Sequence, residues 1–174
     1  KAYGNLEDSM IHSTTYNAFG EECATAIEAI NIAVEENYPQ RARNNGNLIN
    51  ERLKFLKDKY PNQIKEIRGK GCLQGIIFKT GPEIINKILN LIPLKLTKDE
   101  RFLSKLVASS VINSLYDEYE ILTSLGQNKE ICLWISPPII VTDKEIDYFF
   151  KSLEKVLEKG LVLSVLSFLK KQIF

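Results

Sequence analysis

Several residue groups in this chain could do chemistry, and each also has a purely structural reading. His12-Ser13-Thr14-Thr15 sets hydroxyls just ahead of a helix-forming stretch. Ser and Thr in that place can cap a helix by accepting a hydrogen bond from a free backbone N–H. The same hydroxyls, with the open N–H groups of a helix start, can also hold an anion such as phosphate. His12 is the one general base nearby in sequence, and no Gly-x-Ser-x-Gly nucleophile elbow exists here. Gly69-Lys70-Gly71 with Gly75 invites a nucleotide-binding reading. A phosphate-binding glycine turn must lead from a strand into a helix. Here it leads into Leu73, Ile76, Ile77 and Phe78, an apolar strand, so the glycines read as a tight turn that uses positive φ. Trp134, just before Pro137-Pro138, is either a core or interface aromatic or a ligand contact. Cys23, Cys72 and Cys132 are widely spaced, odd in number and without a Cys-x-x-Cys pair. That argues against a disulfide framework and against a thiolate metal site. Each lies among apolar neighbours and reads as a small buried hydrophobe, as in a reducing, cytoplasmic compartment. With His12 as the single histidine, zinc motifs built on His pairs are excluded, and no metal is expected.

These residues need a scaffold, and the apolar periodicity supplies one. Cys23, Ala26, Ile27, Ile30 and Val34 mark a helix from about 21 to 37, which Pro39 breaks. A second helix covers about 40 to 60, with Leu48, Ile49, Leu53 and Leu56 inward, and Pro61 closes it. Short strands flank a turn at Arg68-Gly69-Lys70-Gly71. Thr80-Gly81-Pro82-Glu83, with Pro just inside a helix start, and Thr97 to Glu100 carry capping-box spacings; each opens a helix, the second over about 98–119. Its expected apolar face is Phe102, Leu106, Ile112, Leu115, Tyr116 and Tyr119. Residues 120–125 read as a strand, Gly126-Gln127-Asn128 as a loop and 131–136 as another strand. Thr142 to Glu145 opens a helix that Gly160 stops, and Leu161 to Ile173 is a last apolar helix. That helix should dock onto this fold or onto a second subunit. The order predicts an α/β (α+β) segment: helices packed on a small, mostly antiparallel sheet.

Composition narrows the function classes. The chain has 174 residues with 23 Lys plus Arg against 22 Asp plus Glu. A net charge of +1 is not the basic excess of a protein that neutralises many phosphates, so nucleic acid is not an expected partner. No run is long and apolar enough for a transmembrane helix, and no signal peptide is visible at the first residues. Opening on Lys1 rather than Met suggests a piece of something longer.

Three segments together resemble the C-terminal part of class III aminotransferases, the pyridoxal-phosphate enzymes of fold type I. His12-Ser13-Thr14-Thr15-Tyr16 is similar to the family's His-x-Ser/Thr-Thr-aromatic segment. Ile67-Arg68-Gly69-Lys70-Gly71-Cys72-Leu73-Gln74-Gly75 is similar to its Arg-Gly-x-Gly-Leu hairpin. Ile135-Ser136-Pro137-Pro138-Ile139-Ile140-Val141-Thr142 is similar to its Pro-Pro-Leu stretch. The resemblance implies a phosphate-loop segment and interdomain helix over 1–37, a small C-terminal domain over 38–160 and a helical extension over 161–174. It implies a homodimer in which Thr15, supported by Thr14, reaches the phosphate of the neighbouring subunit's cofactor. It implies a small-molecule amine or carbonyl substrate, and a Schiff-base lysine and a pyridine-pairing aspartate that lie before this chain, leaving no catalytic residue within it. An aminomutase relative, or a non-catalytic dimerisation or binding module of the same fold, fits the same residues. There are two departures. Asn17-Ala18-Phe19-Gly20 stands where many members have Gly-Gly-Asn-Pro. Trp134 stands where many have an arginine that clamps the substrate carboxylate. An indole offers one neutral N–H donor and cannot make that bidentate contact, so Trp134 is the expected substrate contact, suited to a substrate not gripped by an α-carboxylate.

Overall fold

Alanines 24, 26, 29 and 33 favour helix intrinsically, and α1 runs over Gly20–Glu35 in a computed structural model that describes residues 20–80, 100–127 and 129–173. The expected continuation to Asn37 is replaced by a turn. Asn37 takes φ 52, a left-handed conformation that Asn tolerates better than most residues. α1 buries none of its residues, and Ile27, Ile30 and Val34 are exposed. Residues 1–39 and 40–174 form two compact units.

The second helix, α2 (Tyr38–Lys59), begins before the expected break. Pro39 sits in its first turn, where a missing N–H costs nothing because that group has no intrahelical partner. Strands β1 (Ile64–Lys70) and β2 (Leu73–Phe78) form a hairpin. The turn is tighter than expected. β1 continues through Arg68-Gly69-Lys70, Lys70 pairs with Leu73, and Gly71-Cys72 alone connects the strands. Gly71 takes φ 57, the positive value that a two-residue hairpin loop demands at its first position. Gln74 is buried and its amide is fully used. It donates to Gly71 O at 3.0 Å and Gly46 O at 3.3 Å, and accepts from Asn50 at 3.4 Å. A side chain on Gly46 would overlap the Gly71 backbone, so α2 and the hairpin tip meet glycine to glycine.

α3 (Glu100–Tyr119) leads to β3 (Ser124–Gln127) and β4 (Ile131–Ile135). The third strand corrects the expected 120–125. Glu120 turns at φ 56, and the Ile121 N–H closes back on Leu115 O at 3.1 Å. Pairing begins only at Ser124, opposite Trp134, and continues through Gly126 and Gln127, which the sequence reading gave to a loop. That register sets Leu125 opposite the fully buried Leu133, and a one-residue slip would turn Leu125 to the other face. The sheet order is β1-β2-β4-β3, antiparallel at each pairing.

α4 (Asp143–Lys159) starts on the expected capping box. Thr142 N–H donates to Glu145 Oε2 at 2.8 Å, and Glu145 N–H donates to Thr142 Oγ1 at 3.3 Å. The Thr142 N–H and hydroxyl hold the Glu145 carboxyl below its ordinary value. Gly160 ends the helix at φ 87, its N–H on Leu157 O at 3.0 Å. Thr142→Ala should cost about 1 kcal/mol by removing one N-terminal acceptor. Urea unfolding of the two proteins measures it, and equal midpoints would show that the box contributes nothing.

α5 (Leu161–Ile173) docks on α3 within this chain, as one of the expected alternatives had it. Leu161 and Val165 are buried, and Lys171 pairs with Asp117 at 2.6 Å. Because α3 is packed by both the sheet and α5, its buried stripe is wider than one amphipathic face. Leu103, Leu106, Val107, Ala108, Val111 and Leu115 are inside, whereas Phe102 and Tyr116, expected inside, are exposed. The core face of the sheet carries the cross-strand row Ile67, Ile76, Leu133 and Leu125. Ile49 and Leu53 of α2, Val107 and Val111 of α3, and Phe150, Leu153 and Val156 of α4 complete the core. The expected mixed α/β architecture is therefore present. The expected helix within residues 81–99, and His12, Thr14 and Thr15, lie outside the described residues.

Candidate functional site

The outward face of the sheet carries a second cross-strand row: Arg68, Gly75, Trp134 and Ser124. Trp134 is therefore not a core residue; it is 43% exposed. Its indole lies on Gly126 of the edge strand, where a Cβ would come within 2.6 Å of Nε1. Cys132, two residues earlier on the same face, rests on Gly75 of β2 in the same manner. Each outward side chain of β4 thus covers a glycine of a neighbouring strand, and at Gly126 an aromatic compensates the glycine's lack of side-chain contacts.

Trp134 borders two hollows. The first, about 620 Å³, lies between residues 120–124, the Ser136-Pro137-Pro138 stretch and α4. Its walls are mostly apolar and include Ile121, Leu122, Pro137, Val141 and Phe149. Tyr148 lines it too and donates its hydroxyl to Tyr119 O at 2.9 Å. The loop on its rim is fixed by Val141 N–H on Pro138 O at 3.0 Å and by Asn45 Nδ2 on Ile139 O at 3.3 Å. The second hollow, about 640 Å³, lies over the outer sheet face and takes in Arg68, Lys70, Lys129, Glu130 and Cys132.

Arg68 shares this face with Trp134, one strand away across Gly75. Its guanidinium already meets Glu66, at 2.8 Å from Nη2, and Glu130, and Lys65 reaches the same Glu130 at 2.8 Å. These partners hold the Arg68 pKa above its ordinary value and hold both carboxyls below theirs. Arg68 is thus committed to protein carboxylates.

The cysteine expectation needs correction. Cys23 is exposed, because the apolar face of α1 carries no cover within the described structure, and Cys72 and Cys132 are only partly buried. Burial pushes both of the latter thiols up, away from thiolate reactivity. A cofactor aldehyde needs a lysine whose ammonium is destabilised by desolvation or a neighbouring cation. Among the described residues no lysine is buried, and the shifted ones, Lys59, Lys65 and Lys159, are raised by carboxylate partners. These residues therefore do not fit as the cofactor's covalent anchor. Sequence reasoning missed the cleft residues Leu122, Tyr148 and Phe149, which lie on different elements. It also missed the Arg68–Glu66 pairing, although a two-residue spacing on a strand puts both side chains on one face.

The family model described as Aminotransferase class-III matches residues 2–157. An uncharacterized aminotransferase of Schizosaccharomyces pombe is 25% identical over 158 residues, which are 91% of this chain and 30% of that protein. A Bacillus anthracis aminotransferase superposes with a TM-score of 0.64 and 22% identity, over 90% of this chain and 32% of its own. A transaminase from the marine bacterium Virgibacillus gives 0.63 and 20% identity, over 86% and 32%. The chain thus spans about a third of the length of these relatives, and the structural likenesses establish the fold. Among the described residues, no helix is long and apolar enough to cross a membrane.

Proposed function

Because the chain belongs to the class III aminotransferases, we propose that it is the C-terminal region of a pyridoxal-phosphate-dependent transaminase. The whole protein moves an amino group between an amine or amino acid donor and a carbonyl acceptor. The observation that carries this is the family match over residues 2–157 together with the helix-covered antiparallel sheet. Residues 1–37 form the phosphate-loop segment and interdomain helix, 38–160 the small domain and 161–174 an extension. In a homodimer, Thr15 with Thr14 in support holds the phosphate of the partner subunit's cofactor, a role that rests on the family motif. The cofactor supplies the electron sink for labilising the donor's Cα bonds; this chain's residues bind and orient. Trp134 faces the substrate, and Arg68 on the same sheet face is held by Glu66 and Glu130. Neither nucleic acid nor a membrane is a partner, and the compartment is the cytoplasm.

The 174-residue chain alone, incubated with pyridoxal phosphate and amine donors, should show no transaminase activity. It should also give no borohydride-reducible adduct at one specific lysine. Turnover, or such an adduct located by mass spectrometry, would overturn the reading of this chain as the non-catalytic region.

A further inference from the structure

The 620 Å³ cleft beside Trp134 has a chemical character of its own. Its volume falls in the range of small-molecule pockets, and Leu122, 83% exposed, presents a bare apolar side chain to it. Its charged lining residues are Glu120 and Glu145, and among the described residues no Lys, Arg or His lines it. Glu145 is held in its capping box through Oε2. The Glu120 carboxylate makes no hydrogen bond among the described residues. Thr123, also in the lining, keeps a buried hydroxyl with no hydrogen-bond partner among them. Trp134, Tyr148 and Phe149 add aromatic side chains to the lining, and aromatic rings attract cations and apolar groups alike. A carboxylate entering here would meet two carboxylates and no compensating cation.

We infer that this cleft binds a primary ammonium compound with an apolar body and no carboxylate. The apolar body lies against Leu122, Val141 and Phe149, and the ammonium donates to the exposed Glu120 carboxylate at the rim. As a binding site this stands on the lining; that the ligand is the transaminase's substrate rests on the function proposed above.

Trp134 is the single tryptophan of the sequence, so its emission reports directly on the cleft in the 174-residue chain. The probe is 2-cyclohexylethylamine, whose saturated body does not absorb the exciting light. Its counterpart is 3-cyclohexylalanine, the same skeleton with a carboxylate added. The amine should change the Trp134 emission saturably, and the amino acid should bind at least about tenfold more weakly. Leu122→Lys puts a cation in an already exposed position and should weaken the amine by about tenfold or more without moving the melting temperature. Glu120→Gln should weaken it while keeping side-chain shape. Absence of a saturable change, equal binding of amine and amino acid, or wild-type binding by both variants would overturn the inference and leave the transaminase reading intact. Amine binding as expected, in a whole protein that turns over only amino acids, would keep the site and remove its role as substrate pocket.

Discussion

Trp134→Arg in the whole protein should raise affinity for α-amino acids, or for simple carboxylates as inhibitors, by about tenfold to a hundredfold. A guanidinium brings two parallel N–H donors and a full charge where the indole brings one neutral donor. Whether the variant survives to be measured depends on where the side chain sits. Trp134 is 43% exposed on the outward face of β4, so the packing of this chain leaves the new charge in contact with water, without the penalty of a buried unpaired ion. The loss is the cover over Gly126, a cross-strand contact worth about 0.2–1 kcal/mol. The new arginine must also remain free of Glu130, which borders the same hollow and already holds Arg68 and Lys65. Thermal unfolding and carboxylate inhibition together decide the matter. A stably folded variant with unchanged carboxylate affinity would remove Trp134 from the substrate site.

Thr15→Ala in the whole protein should weaken cofactor retention by about tenfold to a hundredfold. One charge-assisted hydrogen bond to a phosphate is worth about 1.5–3 kcal/mol. The effect should act across the dimer, on the partner subunit's cofactor. A mixed dimer with one Thr15→Ala chain and one chain disabled at its cofactor lysine separates the two cases by which site loses its cofactor. Unchanged retention in the variant would leave Thr15 as a helix cap only.

Much of the fold was legible in the chain because it rests on short-range rules. The Thr142–Glu145 box, the stop at Gly160 and the hairpin around Gly71 depend on a few neighbouring residues. The family was legible for a related reason. Three short segments keep their residue types and order, and the match over 2–157 agrees with them. The misplaced elements share a different cause. Residues 120–125 carry enough apolar character for a strand, but the register of β3 is set by β4, on which Leu125 must meet Leu133. The face of α3 was misjudged because α5 packs on it from outside the sheet, and periodicity along one helix does not reveal a second neighbour.

The candidate site divides along the same line. Residue type alone told that Trp134 cannot grip a carboxylate as an arginine does, since donor count and charge belong to the side chain itself. That Trp134 is half in water, rests on Gly126 and stands between a cleft with no Lys, Arg or His among its described lining residues and a sheet face that carries Arg68, Lys70 and Lys129 was decided by the packing of four strands and α4. Nothing in the sequence, likewise, pairs Arg68 with a distant residue. Only the antiparallel pairing of β1 with β2 and of β2 with β4 brings it within reach of Glu130, sixty-two residues away. Chemistry resides in single residues and could be read there; availability depends on neighbours distant in sequence, which the closing of the sheet brings together.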